Sequence, residues 1–298
     1  MATLLIHGGA GRIREDRRAA YEAGLAAALD AGFAAFEAGG DATDAVQAAV
    51  RRMEDDPHAF NAGTGSAPTS AGTIECDAAI MRSDGAAGAV ACVAHVRNPV
   101  TLARRVLEEG RHVLLVGPGA EALEPDPVAN ETLRTDAARA DLERWRARGG
   151  DPEASATCGA VALDDAGRLA AATSTGGVLG QHPGRVGDAP IPGAGTWADA
   201  DVAVSCTGKG EAFLVTAAGR ALACDLAAGT AADDAVRARL AAVRAAGGEG
   251  GLIALRRDGT LLHGFDTPQM AFAWRRDGPA GREEACAVGQ DGAVVVRP

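Results

Sequence analysis

Thr157-Cys-Gly-Ala-Val-Ala-Leu163, Asp164-Asp-Ala-Gly167 and Arg168-Leu-Ala-Ala-Ala-Thr-Ser-Thr175 read together as a β-hairpin of small and β-branched residues closed by a polar turn. Immediately upstream, Gly149-Gly-Asp-Pro-Glu-Ala-Ser-Ala156 has the composition of an exposed linker and forms the strongest internal boundary of the chain. If Leu163 pairs with Arg168, Thr157 lies opposite Ser174 and within one residue of Thr173 and Thr175. The hairpin then gathers three threonines at the end of a core strand.

Working outward, Thr3 to Ile6 reads as a strand running into the glycine loop His7-Gly-Gly-Ala-Gly11. A helix from about Asp16 carries Tyr21, Leu25, Leu29, Phe33 and Phe36 on one face, and a second covers Ala42 to Met53. Glu54-Asp-Asp-Pro57 turns the chain into the loop Phe60 to Gly65. Cys76 to Met81 and Gly88 to Val96 read as paired strands, Asn98-Pro99 as the N-cap and first residue of a helix, His112 to Val116 as a strand, and Thr135 to Arg148 as an Arg-rich helix. Beyond the hairpin come the loop Gly184 to Asp188, the strand Val202 to Cys206, the turn Thr207 to Gly210 and a helix from Glu211. A helix over Asp233 to Ala245 and a hairpin around Arg257-Asp-Gly259 close the chain. Such interleaving without a repeat predicts two sheets sandwiched between helix layers.

Composition limits the function. The 298 residues carry a net charge of -11 and no Lys/Arg cluster, with Lys209 as the single lysine, so phosphate backbones and anionic membrane surfaces are poor partners. The N-terminus lacks a basic segment followed by a cleavable apolar stretch and no long apolar run occurs, which points to a cytoplasmic protein. Six cysteines never form a C-x-x-C pair and read mostly as small buried hydrophobes. Gly117-Pro-Gly-Ala-Glu-Ala122 mimics a dinucleotide-binding turn, but the polar, broken stretch Glu124 to Asp136 offers no βαβ continuation. Neither G-x-S-x-G nor H-E-x-x-H is present, and the histidines show no metal-ligand spacing.

What remains is Thr157. A threonine hydroxyl needs a base within hydrogen-bond reach, and a free α-amino group, with a pKa near ~8, is such a base on the same residue. The chain must then be cut before Thr157. Attack of its hydroxyl on the Ala156 carbonyl gives an ester by N-to-O acyl shift, and hydrolysis of that ester frees the amine. On the residues alone, an ordinary threonine that opens a strand is the reading to prefer.

Several blocks together resemble a known family. Thr157-Cys-Gly-Ala-Val-Ala-Leu-Asp164, Ala171-Ala-Thr-Ser-Thr-Gly-Gly177, Gly184-Arg-Val-Gly-Asp188 and Cys206-Thr-Gly-Lys-Gly-Glu211 are similar to consecutive blocks of the plant-type asparaginases and isoaspartyl peptidases. Ile6-His-Gly-Gly-Ala-Gly11, Glu54-Asp-Asp-Pro57, Phe60-Asn-Ala-Gly63, Asp77-Ala-Ala-Ile-Met81 and His112-Val-Leu-Leu-Val-Gly117 extend the likeness over nearly the whole chain, apart from about Glu124 to Ala156. The resemblance implies a four-layer αββα sandwich of the N-terminal-nucleophile hydrolase type. A single domain, residues 1–298, would mature into an α-chain of 1–156 and a β-chain of 157–298 and pair as a dimer of αβ heterodimers. It implies hydrolysis of L-asparagine and β-aspartyl dipeptides with no catalytic cofactor.

It also implies roles. Thr157 is the nucleophile, Thr175 supports its hydroxyl and the autocleavage, and Asn61 contacts the nucleophile and oxyanion region. Thr207 and the Gly208 N–H form the oxyanion hole. Arg185 and Asp188 hold the substrate's α-carboxylate and α-ammonium, joined by the Gly210 carbonyl. The chemistry suits a guanidinium fork on a carboxylate and a carboxylate on an ammonium.

Several positions depart from the family pattern. Ala156 stands where glycine is usual and resists strained backbone angles. Cys158 replaces a valine as apolar filler. Lys209 occupies a variable position, facing solvent or attracting an acidic substrate. The family's structural sodium, bound by carbonyls of the loop before Asn61, meets an extra residue here between Pro57 and Phe60. Pro190-Ile-Pro-Gly-Ala-Gly-Thr-Trp-Ala-Asp199 suggests a rival, a glycosylasparaginase of the same superfamily. A rival of another class is an uncut, non-catalytic binding protein, to which Ala156 and the short linker point.

Overall fold

The structure, a computed structural model, describes residues 2–150, 157–278, 281–290 and 294–297. In chain order these form β1 (Ala2–Gly11), α1 (Glu15–Glu37), α2 (Ala42–Glu54), β2 (Cys76–Arg82), β3 (Ala87–Val93), α3 (Pro99–Glu109), β4 (Leu114–Val116), the short α4 (Pro118–Glu121) and α5 (Asn130–Leu133), and α6 (Asp136–Ala147). Then follow β5 (Cys158–Leu163), β6 (Leu169–Thr175), β7 (Thr196–Ala198), β8 (Val202–Gly208), α7 (Gly210–Thr216), α8 (Ala218–Ala227) and α9 (Ala232–Ala245). The last elements are β9 (Gly250–Arg256), β10 (Leu261–Phe265), β11 (Gln269–Gly278), β12 (Gly281–Gln290) and β13 (Val294–Arg297).

Among the described residues the strands build an eight-stranded sheet, ordered β12-β11-β1-β5-β6-β2-β3-β4, and a five-stranded sheet, ordered β13-β10-β9-β8-β7. Side chains alternate between the two faces of a strand, and this period of two sorts the residues into layers. On β1, Leu4 and Ile6 pack with Leu25, Phe33, Val46 and Val50 of α1 and α2, whereas Leu5 joins Val161, Ile253 and Leu255 between the sheets. The outer face of the second sheet, with Val204, Leu252 and Leu262, is covered by Phe213, Leu222 and Leu240 of α7, α8 and α9. The predicted αββα order results.

Local signals hold in most places. Asp41 closes a capping box with Asp44 at the start of α2, and Thr135 caps α6 by accepting from the Ala138 N–H. Asn98 does not cap α3; its amide donates to Asp55 Oδ1 at 3.2 Å instead. The loop His7 to Gly11 is strand, because its backbone pairs with β11 through a bulge between His7 and Gly9. β3 stops at Val93, and β4 begins only at Leu114. Chain closure by the Arg257-Asp-Gly259 hairpin is also overturned, since β11, β12 and β13 follow it. On β11 and β12 charges face each other, Arg275 opposite Glu284 and Asp277 opposite Arg282, and interrupt the hydrophobic pattern there.

The hairpin register differs from expectation by one residue. Leu163 pairs with Leu169, not Arg168, so Cys158 lies opposite Ser174. Asp164 causes the shift: its carboxylate accepts the Arg168 backbone N–H at 2.9 Å and the Arg168 Nε at 2.7 Å, absorbing Arg168 into the turn. Of the predicted linker, Gly149 and Gly150 follow α6, and residues 151–156, with Ala156, lie outside the described residues.

Candidate active site

Continuing the β5–β6 register places Thr157 opposite Thr175, and the two hydroxyls meet. Thr157 Oγ1 donates to Thr175 Oγ1 at 3.1 Å, and Thr175 Oγ1 also accepts the Gly177 N–H at 3.1 Å. Alternation then decides which side chains join them. Thr157, Gly159, Thr173 and Thr175 face the second sheet, while Cys158 and Ser174 point to the helices. Cys158 is therefore the apolar filler expected; burial pushes its thiol pKa well up, and it contacts the Ser174 carbonyl at 3.5 Å.

A buried polar node ties the sheets together behind Thr157. Ser205 Oγ of β8 meets His7 Nε2 at 2.9 Å and Thr173 Oγ1 at 2.7 Å. Burial lowers the His7 pKa to about 3, against an opposing backbone interaction with Thr157, so the ring is neutral. Only a glycine fits between these groups: a Cβ on Gly159 would lie 2.0 Å from Ser205 Oγ and 2.5 Å from His7 Nε2. Further along β8, Thr207 is fully buried and its Oγ1 accepts the Ala10 N–H at 3.3 Å, leaving its own proton to donate. Gly208 has φ +142°, and a Cβ there would come 2.4 Å from the Glu249 carbonyl, so this end of the strand requires glycine.

Asn61 bonds to the turn that follows Thr175. Its amide donates to the Gly177 carbonyl at 2.9 Å, its Oδ1 accepts the Ala67 N–H at 2.7 Å, and its own carbonyl accepts the Gly176 N–H at 2.9 Å. It thus pins the turn that follows Thr175, and no hydrogen bond to Thr157 is found among the described residues. Arg185 and Asp188 do not pair with each other in an ion pair. Arg185 Nε donates to Glu211 Oε1 at 2.9 Å, and Asp188 keeps a buried Oδ2 without a hydrogen-bond partner. Burial, reinforced by Glu211 and Asp77, pushes the Asp188 pKa up to about 7 despite Arg185. Gly210 borders both groups: a Cβ there would sit 2.8 Å from Arg185 Nη2 and 3.0 Å from Asp188 Oδ1. Lys209 turns away, its exposed Nζ donating to the Gly247 carbonyl at 2.9 Å.

Sequence reasoning missed Glu211, Asp77 and Glu54. Glu54 of α2 is fully buried behind the hairpin, where its Oε1 accepts the Ser174 hydroxyl at 2.6 Å and the Val100 N–H at 2.9 Å. No signal in the sequence pointed to it, since the expected register set Ser174 opposite Thr157 rather than towards the helices. The loop before Asn61 fits a monovalent cation poorly, because Arg17 Nη2 already donates to the carbonyls of His58 and Ala59 at 2.9 and 3.3 Å. No cluster of His, Cys, Asp or Glu suited to a metal occurs among the described residues.

Comparison with known proteins names the setting of this geometry. The family model described as asparaginase matches residues 1–282. The chain belongs to the asparaginase family. It is 42% identical to the isoaspartyl peptidase of Salmonella typhimurium over 92% of this chain and 95% of that one. It is 40% identical to the isoaspartyl peptidase of Escherichia coli, with 92% of each covered. The isoaspartyl peptidase/L-asparaginase of Homo sapiens is 38% identical over 92% of this chain and 93% of its own. Within the family frame the chain is an enzyme of the N-terminal-nucleophile type, and its two-sheet architecture is the one that class requires. Among the described residues, no helix is long and apolar enough to cross a membrane.

Proposed function

We propose that the chain cuts itself before Thr157 and then hydrolyses the side-chain amide of L-asparagine and of β-aspartyl dipeptides, releasing L-aspartate with ammonia or an amino acid. The carrying observation is the Thr157 hydroxyl at the head of β5, donating to Thr175 at 3.1 Å, in a member of the asparaginase family. The names of the relatives support the substrate class.

In the precursor the Thr157 hydroxyl, oriented by Thr175, attacks the Ala156 carbonyl; acyl transfer to oxygen and hydrolysis release the Thr157 α-amine. That amine then takes the hydroxyl proton as Oγ1 attacks the substrate's side-chain carbonyl. The negative oxygen that develops is stabilised by the Thr207 hydroxyl and the Gly208 N–H, which act more strongly on the transition state than on the neutral carbonyl. The amine returns its proton to the departing ammonia or amino acid, and water cleaves the aspartyl ester. Arg185, held by Glu211, meets the α-carboxylate. The Asp188 carboxylate, whose Oδ2 lacks a hydrogen-bond partner, accepts from the α-ammonium, with the Gly210 carbonyl beside it. Asn61 acts by shaping the Gly176-Gly177 turn.

The same reading takes residues 1–298 as one domain, a cytoplasmic setting and a dimer of αβ heterodimers. It assigns no catalytic cofactor, and it gives Arg17 rather than sodium the task of holding the His58-Ala59 carbonyls.

Intact mass spectrometry of wild type and Thr157→Ala after incubation at neutral pH tests the first step. Two fragments meeting at Ala156/Thr157 in wild type only, with ammonia released from asparagine, are expected. An uncut and inactive wild type would refute the mechanism in favour of the binding-protein alternative.

A further inference from the structure

Asp77 shares a row with the proposed nucleophile. Residues directly opposite in an antiparallel pair project from the same face, with Cβ atoms about 5 Å apart. Asp77 is paired with Thr175, and Thr175 meets Thr157 on its other side. Three neighbouring strands thus carry Thr157, Thr175 and Asp77 in line on the inner face. β2 has its bulge here, between Cys76 and Ala78, and Cys92 on β3 adopts φ 52°, a conformation that side chains with a Cβ resist. The Asp77 carboxylate accepts the Cys92 N–H at 2.8 Å.

The same carboxylate is only 3% exposed and faces Arg185 and the Gly187 N–H. Two residues earlier, Glu75 Oε2 accepts the Gly184 N–H at 2.7 Å. One segment of chain therefore holds the Gly184 to Asp188 loop near both of its ends.

We infer that Asp77 is a positioning and specificity residue for the hydrolysis. It fixes the loop bearing Arg185 and Asp188 against the Thr175 strand, and beside Asp188 it adds a second buried negative charge that selects substrates with a free α-ammonium. The inference rests on the proposed assignment of Arg185 and Asp188 to the substrate's α-groups.

Proton linkage gives this role a signature. The groups facing Asp77 are Arg185, Asp188, Glu75 and the thiols of Cys76 and Cys92. Burial pushes the thiols up to about 12 and about 11, so they stay neutral. It pushes Asp77 and Asp188 each up to about 7, and Asp77 adds to the rise at Asp188. A cation entering the pocket favours both ionised carboxylates, so binding releases protons and weakens as pH falls below about 7.

The test compares mature wild type with Asp77→Asn, which keeps the shape and the acceptor for Cys92. Michaelis parameters for L-asparagine and a β-aspartyl dipeptide are measured from pH 5.5 to 9. Removing one buried charge near the ammonium is expected to raise KM about tenfold at pH 8 with kcat within about threefold. The acid limb of kcat/KM, to which the Thr157 amine contributes in both proteins, should lose about one proton of slope in the variant. Wild-type KM and an unchanged acid limb in the variant would overturn the role, as would a loss of kcat alone with a lowered melting temperature. If Asp77→Asn does not fold, calorimetry of L-aspartate binding to wild type near pH 6.5, in buffers of different ionisation enthalpy, decides instead. Release of clearly more than one proton supports the pair, and release of one or fewer refutes it. Absence of turnover in cleaved wild type would instead sink the underlying substrate assignment.

Discussion

Replacing Glu54 by Gln should stabilise the protein, increasingly so as pH rises. Glu54 is fully buried, with Oε1 bound to Ser174 and Val100 and Oε2 without a hydrogen-bond partner. Burial, despite these bonds, pushes its pKa from 4.5 up to about 8. The native state therefore holds the neutral acid while the unfolded chain ionises. With the folded pKa raised, stability is fully present below the unfolded value and is lost as pH rises through the folded one. Each pH unit within that window costs about 1.4 kcal/mol, so wild type should lose on the order of 4 kcal/mol between pH 5 and pH 9 through this group. Glutamine keeps the acceptor at Oε1 and does not titrate. The expected result is a gap in melting temperature between Glu54→Gln and wild type that widens by several degrees from pH 5 to pH 9, read by calorimetry on samples at the same state of cleavage. A gap independent of pH would refute the claim that Glu54 is buried as the neutral acid.

Three further outcomes test the site. Thr175→Val removes the hydroxyl that receives the Thr157 proton and the Gly177 N–H; autocleavage followed by intact mass should slow by about 100-fold or more. Gly159→Ala drives a Cβ into Ser205 and His7, and chemical denaturation should show a loss of about 2–5 kcal/mol from overpacking and a broken buried hydrogen bond. Arg185→Lys cannot hold Glu211 and a substrate carboxylate in one planar fork. Steady-state kinetics should show KM raised about tenfold with little change in kcat.

Much of the fold was legible because its signals are local. The helical phase of Tyr21, Leu25, Leu29 and Phe33 reappears as the buried face of α1, and Asp41 caps α2 through its own side chain. The small residues of β5 and β6 marked a strand pair buried on both faces. The site was legible more coarsely. Thr157, Thr175, Thr207, Arg185 and Asp188 stood out, yet the partners that orient them did not. Glu211, Asp77 and Glu54 reach the site from α7, β2 and α2, and their parts depend on contacts distant in sequence.

By itself the sequence determined most of the helices, the central hairpin strands, and that a threonine follows the linker. Tertiary structure alone decided the register. A one-residue change reverses which face a strand presents, and the choice is made by the turn contacts of Asp164 together with pairing to β1 and β2 on either side. That choice sets Thr157 opposite Thr175 rather than Ser174, directs Ser174 to Glu54, and brings Asp77 into the same row. Local propensity is nearly indifferent to such a shift. The summed ladder hydrogen bonds and the packing of two sheets are not.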